Sequence, residues 1–219
     1  MIYLIDRRNR AAFSQQLDDM FRIRHDIYVN RRGWKALARP DHREIDQFDT
    51  DDAVYLLGLD DRGQLISGLR LVPTTGPHLI RDVFPHAVTW GRIPCDPNIY
   101  EFTRYFIVSG RSGMHAKRRA AGELLCGMLE YGLSAGLTHL SLLCDTFFMP
   151  HMLECQWKVH PLGLPTPYDE GTCIAVMFEV SERALEGTRE ARDVGQGPQL
   201  VVAEGPPPNA IPDLRRFAA

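Results

Sequence analysis

Apolar residues recur along this chain with two periods, and those periods sort most of it into elements. A short apolar run at residues 1–5 reads as a strand and stops at Asp6-Arg7-Arg8. Phe13, Leu17, Met20, Phe21, Arg24 and Tyr28 then fall at steps of three and four, which predicts a helix capped by Asn9. That spacing puts Arg24 and Tyr28 on or beside its buried face, one turn apart. Residues 53–59 (AVYLLGL) and 64–72 (QLISGLRLV) are β-rich runs around Asp60-Asp61-Arg62-Gly63, an antiparallel hairpin. Residues 73–98 are turn-rich, with a short helix near 79–84 and no visible chemistry. Residues 100–108 (YEFTRYFIV) alternate as a strand. Glu101, Thr103, Tyr105 and Ile107 share one face; Phe102, Arg104, Phe106 and Val108 share the other. The next helix carries the apolar line Ala120, Leu124, Met128 and Tyr131. Strands at 137–144 and 171–180 flank an aromatic-rich turn at 146–154, whose short helix Pro150 breaks early. After Ser181 the composition shifts. Residues 195–219 hold three glycines and five prolines, which read as an extended arm or a poorly ordered end rather than a domain. The expectation is one domain over residues 1–180, a Pro/Gly-rich extension over 181–219, and an α/β fold with a mixed, largely antiparallel sheet.

Composition narrows the picture. A 44% hydrophobic fraction supports a real core, and a net charge of -3 gives no reason to expect nucleic acid. No run approaches a membrane span, and the apolar start is too short for a signal peptide. The five cysteines are odd in number and lack a CxxC, so they read as reduced thiols of a cytoplasmic protein. The eight histidines show no metal-ligand spacing, so no metal is expected.

The densest chemistry lies at residues 21–52, with seven basic residues, seven acidic ones and four aromatics. Arginines come early and carboxylates late (Asp41, Glu44, Asp46, Asp49, Asp51, Asp52), with Trp34 between them and Pro40 preventing one long helix. Arginine to fork a carboxylate, acids to hold an ammonium and aromatics to face a cation suit a zwitterionic, cationic ligand carrying a purine. S-adenosylmethionine is such a molecule; a solvated, charge-rich loop is the plainer reading. The loop over residues 30–50 is expected to be mobile until a ligand orders it. Arg70 interrupts an apolar strand and is expected to pair with Asp46 and Asp49. Glu101 and Arg104 sit in a core strand, and a β-bulge would bring them together.

Arg24, Tyr28, Trp34, Asp46 and Asp49, followed by Arg70 and Glu101-Phe-Thr-Arg104, form a spaced pattern over about residues 1–180. It resembles the acyl-homoserine lactone synthases, the autoinducer synthases of bacterial quorum sensing. The resemblance implies a GNAT-like three-layer fold, in which two central strands splay apart to take a thioester arm. It implies two substrates, S-adenosylmethionine and an acyl thioester, and no prosthetic group. The amine attacks the thioester to give an amide; the carboxylate then displaces the sulfonium, closing a lactone and releasing methylthioadenosine. Glu101 is the candidate base, directly or through water, or else a structural partner of Arg24 or Arg104. Arg104 is assigned to the methionine carboxylate or to ordering the cluster. Arg70 is a further catalytic candidate; Asp46 and Asp49 favour the ammonium side and lock Arg24 and Arg70, and Tyr28 and Trp34 form an aromatic lid. The family more often has phenylalanine where Tyr28 stands.

At the acyl end the expected lining is Tyr105, Phe106, Arg111, Cys144, Phe147 and Phe148, with backbone amides near Tyr105–Phe106 as oxyanion donors. Residues 109–119 (SGRSGMHAKRR) suit a pantetheine phosphate cradle or an exposed basic turn. Family members that use acyl carrier protein carry several basic residues after the last core strand. Here MPHMLECQWK offers Lys158 and His151 and adds Glu154. That depleted patch, beside a pocket that Phe147 and Phe148 would cramp, points to a short, branched or aryl acyl group carried by coenzyme A, and Cys144 argues against a 3-oxo chain. Acyl carrier protein as donor, a plain N-acetyltransferase and a silent thioester-binding module are the alternatives.

Overall fold

The computed structural model describes residues 1–108, 113–168 and 171–207. Its strands are β1 (Ile2–Ile5), β2 (Val54–Leu59), β3 (Leu65–Pro73), β4 (Ile99–Ile107), β5 (His139–Asp145), β6 (Val159–Pro161), β7 (Thr166–Tyr168), β8 (Gly171–Glu179) and β9 (Leu200–Val201). Among the described residues they form one sheet in the order β6-β8-β5-β4-β3-β2-β1-β9, with β7 also on β8. The β4–β5 and β1–β9 pairs are parallel and the others antiparallel. The helices are α1 (Ser14–Arg24), α2 (Leu79–Asp82), α3 (Met114–Ser134), α4 (Met149–Glu154) and α5 (Glu182–Arg192).

Both faces of the central strands are covered. Leu56, Leu69, Leu71 and Phe102 pack with Leu124 and Met128 of α3. Tyr55, Leu57 and Phe106 pack on the other side with Phe13, Leu17 and Met20, on or just before α1. Double burial explains why β2 reads as a continuous apolar run rather than an alternation. The result is three layers, the GNAT-like fold that the sequence resemblance implies.

Two irregularities position the site. Gly68 pairs with Phe106 and Arg70 with Thr103, so Leu69 alone faces Arg104 and Tyr105. This is the bulge, and Arg104 takes a left-handed φ of 53° within it. Phe102 and Phe106, expected on one face, therefore lie in opposite cores. The second irregularity is a splay. β4 and β5 pair only over Ile99–Glu101 with His139–Ser141, although each strand runs on.

Several expectations change. Asn9 caps no helix: its amide donates to the Leu4 and Ala203 carbonyls, and α1 starts after Phe13. The helix continues from His25 to Arg31 as a wider π-helical segment, which keeps Tyr28 buried. Pro150 lies in the first turn of α4, where its missing N–H costs nothing, so it opens that helix rather than breaking it. The stretch after Ser181 is not simply an arm. Ser181 caps α5, α5 packs on α3, and β9 adds a strand beside β1. The buried Trp157 indole donates to Thr188 of α5 at 2.8 Å.

Candidate active site

The π-helical segment and the loop after it bring six charged side chains together on the α1 side of β3 and β4. Arg24 grips Asp49 with both terminal nitrogens at 2.8 Å and donates through Nε to Glu44 at 2.5 Å. Arg70 forks Asp46 at 2.6 and 3.0 Å, reaches Asp49 at 2.8 Å and donates to Thr103 at 3.1 Å. Arg104 bridges Glu44 at 2.9 Å and Asp46 at 2.6 Å. Three guanidiniums thus face three carboxylates. Local turns fix the acids in place: the Asp49 carboxylate accepts the Asp46 amide, Asp46 accepts the Phe48 amide, and the Glu44 amide donates to the Phe21 carbonyl. Residues 44–49 are thus tied by hydrogen bonds within the loop over 30–50.

Charge burial of this kind is costly unless every ion is paired. The neighbouring guanidiniums hold Glu44 and Asp49 below the usual carboxylate range despite burial. Arg24, Arg70, Glu44 and Asp49 are sealed, with at most 1% of each side chain exposed, whereas Arg104 and Asp46 retain 7% and 8%. The lattice has an inside and a rim. Above the rim, Arg104 lies 5.2 Å from the centre of the Tyr28 ring, and Trp34 stacks on Tyr28 at 5.1 Å and 20°. The Tyr28 hydroxyl donates to the Tyr105 carbonyl at 3.1 Å, a contact that phenylalanine at this position would lack.

Glu101 does not pair directly with Arg24 or Arg104. Its two oxygens accept the amides of Leu79 and Ile80, both at 2.7 Å, at the start of α2. The supposedly silent stretch 73–98 thus supplies its partners. Burial pushes this carboxyl up to about 7, against the pull of those amides and of Arg70 and Arg104.

The acyl-end expectations divide. Tyr105 and Phe148 approach at 5.8 Å between ring centres, and Cys144 is half-buried with its thiol pushed up to about 12 by burial. Phe106 is buried in the α1-side core, its ring against Gly68. Phe147 is 68% exposed, because the turn at Thr146–Phe148 sends neighbouring side chains different ways. Arg111 lies outside the described residues, as do Ser109, Gly110 and Ser112 of the proposed phosphate cradle. Arg118 of α3 and Arg192 of α5 both reach Glu154 at 3.0 Å, so α4 has basic neighbours that its own sequence hides. With His115, Arg119 and Asp193 these two arginines line a cavity of about 190 Å³. Two histidines also converge on an acid despite their spacing. The ligand atoms of His139, His160 and Glu179 lie within 4.8 Å of one another, with Lys158 on Glu179 at 2.5 Å. Glu44 is the main site residue that the sequence reading left out of its candidates.

Among the described residues no helix is long and apolar enough to cross a membrane. The family model for autoinducer synthases matches residues 9–187. An isovaleryl-homoserine lactone synthase from Bradyrhizobium diazoefficiens is 35% identical over 211 residues, covering 96% of this chain and 93% of its own. Among solved structures, the coenzyme A-dependent acyl-homoserine lactone synthase BjaI, with S-adenosylmethionine and isopentyl-CoA, matches at a TM-score of 0.85 and 32% identity over 95% of each chain. The coenzyme A-dependent synthase MesI matches at 0.82 and 39% identity over 91% of this chain and 98% of its own. With the arginine–carboxylate lattice, the aromatic stack and the splayed strands in one α/β frame, this chain belongs to the autoinducer synthase family.

Proposed function

We propose that the protein makes an N-acyl-L-homoserine lactone from S-adenosylmethionine and a short, branched acyl group carried as its coenzyme A thioester. The observation that carries this reading is the sealed lattice whose accessible rim is Arg104 and Asp46, beneath the Tyr28–Trp34 stack. Arg104 takes the methionine carboxylate and Asp46 the ammonium, while Trp34 faces the sulfonium and purine. Arg24, Arg70, Glu44 and Asp49 are the frame that holds these two groups. Arg70, sealed against Asp46, Asp49 and Thr103, acts as a brace.

The ammonium passes a proton to Glu101, directly or through water, and the amine attacks the thioester carbonyl. Amides near Tyr105–Phe106 meet the oxyanion, and the coenzyme A thiolate leaves. The methionine carboxylate then attacks the carbon bearing the sulfonium, closing the five-membered ring and expelling methylthioadenosine. That step is intramolecular, so holding the chain folded between Arg104 and the aromatic stack supplies much of its acceleration.

The two solved relatives are coenzyme A-dependent, and the Bradyrhizobium relative is an isovaleryl-homoserine lactone synthase. Together with the Tyr105–Phe148 pair, these favour the short branched donor. We place the reaction in the cytoplasm, where the five free thiols stay reduced. Acyl carrier protein is the competing donor, favoured by Arg118 and Arg192 beside α4 and opposed by Glu154 between them.

Mass spectrometry of the protein with S-adenosylmethionine and straight, branched and aryl acyl-CoA thioesters tests the reading. It requires methylthioadenosine and one N-acyl-homoserine lactone to appear together. Thioester consumption with a simple amine and no S-adenosylmethionine would make it a plain acetyltransferase.

A further inference from the structure

Asp145 stands where the two halves of the site meet. It ends β5, one residue beyond Cys144, on a strand bordering the splay. One carboxylate oxygen accepts a hydrogen bond from Arg32 Nη2 at 2.7 Å, and the other accepts the Tyr168 hydroxyl. Arg32 lies 113 residues earlier, in the loop that carries Trp34, and its guanidinium carbon sits 5.1 Å from the centre of the Trp34 indole. Tyr168 closes β7, which is held on β8, the other neighbour of β5. One carboxylate thus joins the aromatic lid to the strand end that an acyl arm must pass.

We propose that Asp145 is a positioning residue that couples occupancy of the acyl cleft to closure of Trp34 over the S-adenosylmethionine site. The proposal rests on the function proposed above. A lid on an irregular loop loses entropy each time it closes. A fixed acceptor on β5, laddered to β8 through Asp145 and open to the splay on its β4 side, lowers that loss most when an acyl arm fills the splay. Closure then follows arrival of both substrates and shields the thioester from water. An exposed ion pair would contribute little. The side chain of Asp145 is only 15% exposed and its two oxygens are shared between separate segments, which makes it a junction rather than a surface pair.

Linkage makes the coupling reciprocal, so calorimetry on the full chain measures it. The probes are methylthioadenosine and an unreactive thioether analogue of isovaleryl-CoA. In the wild type each probe tightens the other by about 5-fold or more, by the same factor in either order. Asp145→Asn and Arg32→Gln each cut that factor to below about twofold, and the double variant loses nothing further. Arg32 is a third exposed, so Arg32→Gln keeps the test open if Asp145→Asn folds poorly. Mutual tightening that survives in Arg32→Gln or in a folded Asp145→Asn overturns the proposal. So does a wild type that binds both probes independently, a result that leaves the proposed function standing. A wild type that binds neither probe overturns both.

Discussion

Glu44 accepts from Arg24 and Arg104 at the centre of the lattice and is itself fully buried. Removing its charge leaves two guanidiniums short of a partner, one of them, Arg24, fully sealed from water. Glu44→Gln is therefore expected to lower stability in urea unfolding by roughly 3–5 kcal/mol. Asp51 serves as the control: its carboxylate meets Arg10 at 3.3 Å in solvent, and Asp51→Asn should cost less than about 1 kcal/mol. Both acids stand in one run of carboxylates, and a loop without a period gives no sign of which one turns inward. Arg24 and Tyr28 were legible because helical spacing placed them on a buried face, and Arg70 because a charge in an apolar strand needs a partner. The partners of Glu101 were not legible, because they are backbone amides and no residue type announces them. Its carboxyl, raised to about 7, must be ionised to take a proton, so the acyl-transfer rate should climb as pH rises through about 7 and then level. Glu101→Gln should erase that limb and lower kcat by about 100-fold or more.

The bulge between β3 and β4 does the work that strict alternation in β4 would have prevented. By turning Arg104 to the α1 side it places that guanidinium beside Asp46, and it sends the Phe106 ring under Gly68. A Cβ on Gly68 would lie 2.6 Å from that ring and 2.9 Å from Leu57. Gly68→Ala is thus expected to cost about 1–3 kcal/mol by overpacking and to impair activity by displacing the bulge. Melting temperature and turnover report the two effects. A bulge at YEFTRYFIV was readable as a need, since Glu101 and Arg104 sat oddly in a core strand. That it would split Phe102 from Phe106 was not, because the register of β3 decides it.

The lattice gives the whole molecule its acid response. Glu44 and Asp49 titrate below the ordinary carboxylate range of about 4, so the stability they contribute is fully present above that range. It is lost as pH falls further and they protonate. Urea midpoints should hold from pH 7 to about pH 4 and fall below that, more steeply for the wild type than for Asp49→Asn. The C-terminal stretch belongs to the same body. The α5 helix buries Leu185 and Thr188 against the core, so a chain ended after Val180 should expose that surface and bind a hydrophobic dye. Glycine and proline content described the end of the chain and obscured the amphipathic helix before it.

The most direct test of the central claim is a competition in one vessel. S-adenosylmethionine is supplied in excess with equal amounts of isovaleryl-CoA, hexanoyl-CoA and isovaleryl-acyl carrier protein, each isotopically distinct, and the lactones are read by mass spectrometry. The lattice, the Tyr105–Phe148 pair and the coenzyme A-dependent relatives lead to isovaleryl-homoserine lactone drawn chiefly from the coenzyme A donor, with one methylthioadenosine per lactone. A product drawn chiefly from the carrier protein or from the straight chain would contradict the donor assignment, and thioester consumption without lactone would contradict the reaction itself.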